Sequence, residues 1–229
     1  MSTDNPPVTD TPGVILAKIL KTILYQLGVN VERYQYFMFN FIKQLDLNSN
    51  YKISSVINNV SKEVFNASIS WKVFIKAMLF LGTSRLVIFL RVAEDRPMVQ
   101  HEIDLTDRNL ASNLFCFSNK EEAKEEVQLG RHLKEFLDAI IVENSLTPVY
   151  SEAIDNYISQ LKQDQRYRNK SLKGNLAKEL KLNNISWKVF IKTLAIYRIV
   201  NPTIGVTIHD RNGKHHTVSF NINLDDLVV

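Results

Sequence analysis

Cysteine, glycine and proline are scarce in this 229-residue chain, and each scarcity excludes a class of protein. A single cysteine, Cys116, cannot form an intramolecular disulfide, which excludes a disulfide scaffold and a cysteine-rich zinc site. Seven glycines and six prolines exclude collagen-like and low-complexity compositions. With 45% hydrophobic and 23% charged residues, the composition is typical of a globular protein with one large domain or two smaller ones.

Long uninterrupted apolar runs are also missing. The apolar stretch 14–27 contains Lys18 and Lys21, and the stretch 79–92 contains Arg85 and Arg91. A membrane-spanning helix needs about 20 mostly apolar residues, and the acidic, proline-bearing leader has the wrong charge for a secretory signal. We therefore expect a soluble, cytoplasmic protein without a membrane partner. The abundance of asparagine, lysine and isoleucine is typical of AT-rich genomes, viral ones included, in which case the location is the host cytoplasm.

The sequence motifs of common enzymes are absent. There is no glycine-rich phosphate loop, Gly-x-Ser-x-Gly elbow or His-Glu-x-x-His motif, and the apolar neighbours of Cys116 are typical of a packed thiol. His209 and His216 could face each other across a hairpin, but no carboxylate or cysteine completes a metal-ligand spacing. We therefore expect no catalysis, no small-molecule substrate, no cofactor and no metal.

What the sequence does contain is a long internal repeat. The octad Ile69–Lys76 returns unchanged as Ile185–Lys192, 116 residues further on. The same offset, applied without a gap over residues 17–78, gives 19 identities, whereas chance would give roughly 4. Lys18 and Lys134 are among the matched pairs. The chain is therefore predicted to be a tandem duplication.

Charge follows the same division. Residues 13–92 and 147–214 each carry a net charge of +7, whereas residues 93–146 carry −6. The predicted organisation is a flexible tail at 1–12, a first repeat unit at 13–105, an acidic linker or connector helix at 106–130, a second repeat unit at 131–224, and a tail at 225–229.

Each unit is predicted to contain about four helices followed by a β-hairpin, in a mainly α fold of the α+β class. Apolar spacing predicts helices over 15–27, 34–45, 53–65 and 70–81, with Ser70 and Ser186 as N-caps and Gly28 as a helix stop. Alternation predicts strands over 86–92, 99–105, 203–209 and 216–222. Asn212-Gly213 is a typical hairpin turn between the last two strands.

Two helices joined by a tight turn and followed by a hairpin resemble the winged form of the helix-turn-helix, a DNA-binding class. In the second copy, the motif's apolar and small positions are occupied by Leu176, Ala177, Leu180, Leu182, Trp187 and Phe190, although Lys181 stands where glycine is usual. In the first copy they are occupied by Val60, Ser61, Val64, Trp71 and Phe74, but Asn66 replaces an apolar residue. The resemblance covers about 45 residues of each unit and implies that the helices after Ser70 and Ser186 are recognition helices.

This resemblance implies double-stranded DNA as the partner and basic side chains as its contacts. Lysines one turn apart occur on both recognition helices, a basic run precedes the second helix pair, and further basic residues lie at the second hairpin tip. The residues predicted to contact DNA are Lys72, Lys76, Arg166, Arg168, Lys170, Lys173, Lys188, Lys192, Arg211 and Lys214. We therefore expect a non-enzymatic DNA-binding protein that acts in transcription or replication control.

A protein-interaction or structural role, with a protein partner or self-association, is the alternative. Val73 and Phe80 lie on the side of their helix opposite Trp71, and Val189 and Ile196 repeat this arrangement. A helix with apolar residues on both sides is usually sandwiched within its fold or buried in a partner. These four residues are therefore the predicted partner-binding residues. Under this alternative the repeated octad packs a core, its lysines keep the outer face soluble, and the basic run is a solvated helix end.

Overall fold

The computed structural model describes residues 11–44, 53–106, 119–160, 178, 180, 183–210 and 212–224. Seven helices and four strands lie in these ranges, so the fold is mixed α+β. In chain order they are α1 (Pro12–Gln26), α2 (Val31–Gln44), α3 (Ile53–Val64), α4 (Trp71–Phe80), β1 (Thr83–Arg91), β2 (Met98–Asp104), α5 (Asn119–Glu143), α6 (Tyr150–Gln160), α7 (Trp187–Ile196), β3 (Thr203–Asp210) and β4 (His215–Asn221).

Local signals set the ends of the helices where the sequence predicts them. Ser70 and Ser186 are the N-caps of α4 and α7, and their hydroxyls accept hydrogen bonds from the amides of Val73 at 3.3 Å and Val189 at 3.2 Å. Helix α1 ends just before Gly28, whose φ of +60° is in the left-handed region that favours glycine. The predicted caps and helix stop are confirmed.

The four strands form one antiparallel sheet in the order β2-β1-β3-β4. Leu90 lies opposite Val99 in the first hairpin, and Val206 lies opposite Val218 in the second. The hairpins are joined to each other because β1 pairs with β3, with Ile88 opposite Val206. Since an unpaired strand edge attracts other chains, this pairing protects the inner edge of both hairpins.

The two predicted repeat units share one sheet and one core. Helix α1 packs on β4 and helix α5 packs on β2, so each reaches the hairpin of the other predicted unit. Helix α4 packs on β1, and buried side chains from each of these elements belong to a single hydrophobic cluster. The described halves of the chain are therefore interlocked, while the predicted domain boundaries stay a prediction.

Matched backbone contacts relate the first helix of each half to the repeated octad. The amide of Ile69 donates to the carbonyl of Gly13 at 3.1 Å, and the amide of Ile185 donates to that of Gly130 at 3.1 Å. Gly13 and Gly130 are 117 residues apart, one more than the octads. The matched contacts in this helix therefore have an offset of 117, one residue more than the predicted gapless offset, which matches Lys134 with Ala17 and not with the predicted Lys18.

Helix α5 overlaps the predicted acidic linker. It runs from Asn119 for 25 residues, and Leu129, within the predicted linker range, is buried in the core. Residues 107–118 of that range lie outside the described part of the chain. Among the helices that the structure describes, none alone combines the length and the apolar character needed to cross a membrane.

Candidate nucleic-acid interface

A cleft lies where the first turns of three helices meet. Pro12 begins α1, Trp71 begins α4 and Trp187 begins α7, and all three line a cavity of about 620 Å³. Leu129 and Gly130 of α5 complete one side. Because the N-terminal end of an α-helix carries a partial positive charge, this convergence favours an anionic ligand.

Two stacked tryptophans fix the shape of the cleft. The rings of Trp71 and Trp187 lie 5.7 Å apart between centroids, at an angle of 10°. The indole N–H of Trp71 donates to the carbonyl of Leu129 at 3.2 Å, and that of Trp187 donates to the carbonyl of Pro12 at 2.7 Å. Each tryptophan is only 5% exposed, so the pair holds the helices together and offers little ring surface to a nucleic-acid base.

The aromatic stack continues into the core on both sides. Phe74 stacks on Trp71 at 5.5 Å, and Phe190 stacks on Trp187 at 5.3 Å. Phe136 of α5 then stacks on Phe190 at 5.4 Å. These pairs bury large apolar areas and add roughly 0.5–1.5 kcal/mol each beyond that burial. The cleft is therefore built on a rigid base.

The charged side chains that line the cleft are all cationic. Lys72 and Lys188, which hold the same position in the two octads, are lining residues, and Lys188 is exposed while Lys72 is half-buried. Ser68 and Asn184 add polar groups, and no aspartate or glutamate occurs among the described lining residues. The structure thus brings together one predicted DNA-contacting lysine from each half.

Lys76 and Lys192 lie one turn further along α4 and α7 and are half-buried. On α7, Lys188 and Lys192 form a narrow accessible strip, because every other residue between Trp187 and Ile196 is buried. On α4 the strip also includes Val73. A strip with two cations and almost no other accessible surface suits phosphate contacts, whereas reading bases requires a wider polar face in the major groove.

Lys214 lies apart from this cleft. It is exposed in the turn between β3 and β4, where a carboxylate oxygen of Asp210 accepts hydrogen bonds from the amides of Asn212 and Lys214, both at 2.9 Å. Asp210 pairs with Thr83, just after the end of α4. The cleft is at the beginning of α4, about 15 Å away along that helix. The hairpin tip and the cleft are separate surfaces.

Several predicted residues lie outside the described part of the chain. Among the predicted DNA contacts these are Arg166, Arg168, Lys170, Lys173 and Arg211. The same is true of Leu176, Ala177, Lys181 and Leu182 in the helix-turn-helix pattern of the second copy. In the first copy, Val60, Ser61 and Val64 of α3 are buried, and α3 packs on α4.

Three of the four residues predicted to face a partner are covered by the fold itself. Phe80 is 2% exposed, and Val189 and Ile196 are each 4% exposed, while Val73 is half-buried. The ring of Phe80 packs edge-on against the ring of Tyr34 from α2, 6.1 Å away. The prediction that these residues form an accessible docking surface is wrong for Phe80, Val189 and Ile196, because neighbouring helices already cover them.

The histidines of the second hairpin pair differently from the prediction. His209 lies opposite His215, with ring centroids 6.0 Å apart, whereas His216 lies opposite Ile208 and so points to the other face of the sheet. The guanidinium of Arg85 lies 3.4 Å from Nδ1 of His209. Desolvation and this cation lower the pKa of His209, and the cation also disfavours a metal ion there.

A cluster of two histidines and a glutamate joins β2 to α5. Nε2 of His101 lies 3.1 Å from Nδ1 of His132, and a carboxylate oxygen of Glu135 lies 3.8 Å and 4.0 Å from these two atoms. Desolvation lowers the pKa of both histidines, and for His132 the neighbouring His101 adds to the effect. His132 and Glu135 share a helix face, but only the packing of α5 on β2 adds His101, so the sequence alone gives only a weak signal.

The chain matches no protein-family model, no curated protein and no solved structure. The function proposed below therefore rests on the geometry of the cleft and its lysines.

Proposed function

We propose that this protein binds DNA, without catalysis, through phosphate contacts at the cleft where α1, α4 and α7 begin. The placement of Lys72 and Lys188 around one cavity that has no described acidic lining residue carries the proposal. Lysines that neutralise phosphates release condensed counterions, which supplies most of the affinity in sequence-independent binding. A role in transcription or replication control is part of this proposal.

We propose that the two halves resemble winged helices in the order of their elements but not in how they contact DNA. The order of α3, α4, β1 and β2 is that of a helix-turn-helix followed by a hairpin, and the matched contacts of Gly13 and Gly130 support a duplication. However, the two hairpins pair with each other, and the apolar sides of α4 and α7 are buried. We therefore propose that these helices contact the phosphate backbone with their lysine strips and do not insert into the major groove.

Weak sequence selectivity and a strong salt dependence follow from this mode of binding. Each phosphate contact contributes about −0.9 to the slope of log affinity against log salt concentration. Lys72 and Lys188 together should therefore account for roughly 1.8 of that slope. Base-specific discrimination requires contacts to groove edges, which the narrow lysine strips do not provide.

The test is fluorescence anisotropy with a labelled random-sequence duplex at several salt concentrations. The double variant Lys72→Glu/Lys188→Glu should lose at least about tenfold in affinity at low salt and flatten the slope by nearly two. Lys21→Glu/Lys62→Glu is the matched control, because it makes the same change in net charge with two exposed lysines that do not line the cleft. Equal losses in both double variants would contradict the assignment to the cleft, and no binding by the wild-type chain at low salt would reject DNA as the ligand.

A protein-interaction role stays a prediction. Three of the four side chains that suggested it are buried by the fold, so no surface built from them supports it. An average molecular mass that rises with protein concentration in analytical ultracentrifugation would support self-association.

A further inference from the structure

We propose that His101, His132 and Glu135 bind one zinc ion, which ties strand β2 to helix α5. This site is separate from the DNA-binding cleft and does not depend on the proposed function. The three side chains offer two imidazole nitrogens and one carboxylate oxygen within 4.8 Å of one another.

The distances between the ligand atoms fit a zinc ion. The three separations are 3.1 Å between the two imidazole nitrogens, and 3.8 Å and 4.0 Å from these to the carboxylate oxygen. A triangle with these sides has a point that lies roughly 2.1 Å from each corner, which is the length of zinc–nitrogen and zinc–oxygen bonds. If the two longer sides shortened and the 3.1 Å side lengthened slightly, each would reach the tetrahedral edge length of about 3.4 Å, with the ion out of the plane of the three ligand atoms.

Neighbouring groups hold the ligands in place. Nε of Arg131 lies 3.5 Å from the other carboxylate oxygen of Glu135, which leaves the first oxygen facing the histidines. The ring of His101 lies against the buried ring of Phe136, 6.2 Å between centroids. Such contacts outside the ligand set orient metal ligands and tune their affinity.

The two histidines already face each other through the nitrogens that would bind the ion. A metal-binding imidazole must be neutral at the nitrogen that binds. The charged groups that face the histidines are Glu135 and Arg131. For both facing nitrogens to bind zinc, the ring that donates the hydrogen bond between them must carry its proton on its other nitrogen instead. The carboxylate of Glu135 would then partly neutralise the charge of the ion.

The ligand set fits zinc and disfavours magnesium and calcium. Imidazole suits zinc, copper, iron and nickel, whereas magnesium and calcium prefer all-oxygen sites. Three protein ligands leave a fourth position for water. Because His101 and His132 come from different elements, the ion would link two parts of the fold that no described disulfide joins, and would stabilise the folded state by mass action.

The test uses the full chain, freed of metal with EDTA and dialysed, then titrated with zinc chloride by calorimetry. We expect one zinc ion per chain and a rise in the melting temperature. Cobalt chloride should give the visible absorption of a tetrahedral cobalt site. His101→Ala, His132→Ala and Glu135→Gln should each weaken binding by at least about tenfold, as a loss of metal ligation predicts.

His209→Ala is the matched control, because it removes a histidine from the other two-histidine pair, which lies beside Arg85. It should leave zinc binding unchanged. If a histidine variant fails to fold, Glu135→Gln still tests the site, because the side chain of Glu135 is half exposed and its replacement should not disturb the core. Circular dichroism checks the fold of each variant. Absence of binding by the folded wild-type chain, or equal affinity in wild type and Glu135→Gln, would overturn the proposal.

Discussion

Trp71 and Trp187 stack face to face, and each donates its indole N–H across the junction. The ring centroids are 5.7 Å apart, and the planes differ by 10°. Trp71 of α4 bonds to Leu129 of α5, while Trp187 of α7 bonds to Pro12 of α1. Each tryptophan therefore links its own helix to the first helix of the other half of the chain, so the residue has the same structural role in both octads.

The first prediction concerns these two indole groups. Trp71→Phe and Trp187→Phe should each lower the free energy of unfolding by about 1–3 kcal/mol, because each deletes an indole N–H···O hydrogen bond across the junction and leaves a smaller ring in a packed stack. Urea denaturation followed by circular dichroism measures this. Tyr36→Phe is the matched control, since Tyr36 is 64% exposed and losing its hydroxyl should change stability by less than about 0.5 kcal/mol. Wild-type stability in both tryptophan variants would show that these hydrogen bonds do not hold the junction.

The second prediction concerns the two glycines beside the octads. A Cβ added at Gly130 would lie 2.9 Å from Cβ of Asn184 and 2.9 Å from the backbone N and O of Ile185. Such overpacking lowers the free energy of unfolding by about 1–3 kcal/mol. The higher helix propensity of alanine over glycine, roughly 1 kcal/mol, offsets only part of this loss. Gly130→Ala should therefore destabilise the chain, with a lower urea midpoint as the measurement.

Gly13→Ala supplies an internal comparison. Its added Cβ would lie 2.2 Å from Oγ of Ser68 but no closer than 3.1 Å to the backbone. The clash at Gly13 is therefore mostly with a side chain, and the second substitution Ser68→Ala should restore much of the lost stability. If Ser68→Ala gave no recovery in the Gly13→Ala background, the close approach at that position would not be the cause of the loss.

Local features of this fold follow from the sequence. Ser70 and Ser186 directly precede an apolar helical pattern, which predicts an N-cap because a serine hydroxyl satisfies an amide that the helix cannot. Asn212-Gly213 lies between alternating runs, and Gly213 adopts the positive φ of +79° that such a turn needs. In each case the information is contained within a few neighbouring residues.

The joining of the hairpins does not follow from such local patterns. Apolar side chains fill every position from Leu86 to Leu90 in β1, whereas polar residues occupy most of β2 and leave Val99 and Ile103 as its inward-facing apolar residues. This contrast is typical of a central strand beside an edge strand, but it does not specify β3 as the second neighbour. The cluster of His101, His132 and Glu135 cannot be predicted from local patterns either, because it forms only when α5 packs against β2.

The third prediction is a dependence of stability on pH that comes from His101 and His132. Burial lowers the pKa of both below the ordinary value of 6.5, so the unfolded chain binds more protons than the folded chain as pH falls through 6.5. Stability should therefore be constant above that pH and decline below it. The decline should be smaller in His101→Asn/His132→Asn, measured by urea denaturation between pH 7.5 and 5 with EDTA present. A decline equal to that of the wild type would assign the effect to other groups.

The last prediction separates helix capping from DNA binding at the same two residues. Ser186→Ala and Ser70→Ala remove the hydroxyls that accept from the amides of Val189 and Val73, and each should cost about 1 kcal/mol of stability. Neither changes the charge of the cleft, so DNA affinity should stay within about twofold of wild type under conditions where the chain is folded.

Ser186→Asp should have the opposite pattern. Aspartate is as good an N-cap as serine and interacts favourably with the positive end of α7, so stability should be kept or slightly raised. The same carboxylate would stand in the cleft beside Lys188, where it repels phosphates and should lower DNA affinity by about tenfold at low salt. Measured together by urea denaturation and anisotropy, the two substitutions should move stability and affinity independently. If affinity followed stability in both variants, the fold would be affecting DNA binding as a whole, and the cleft would have no special part in it.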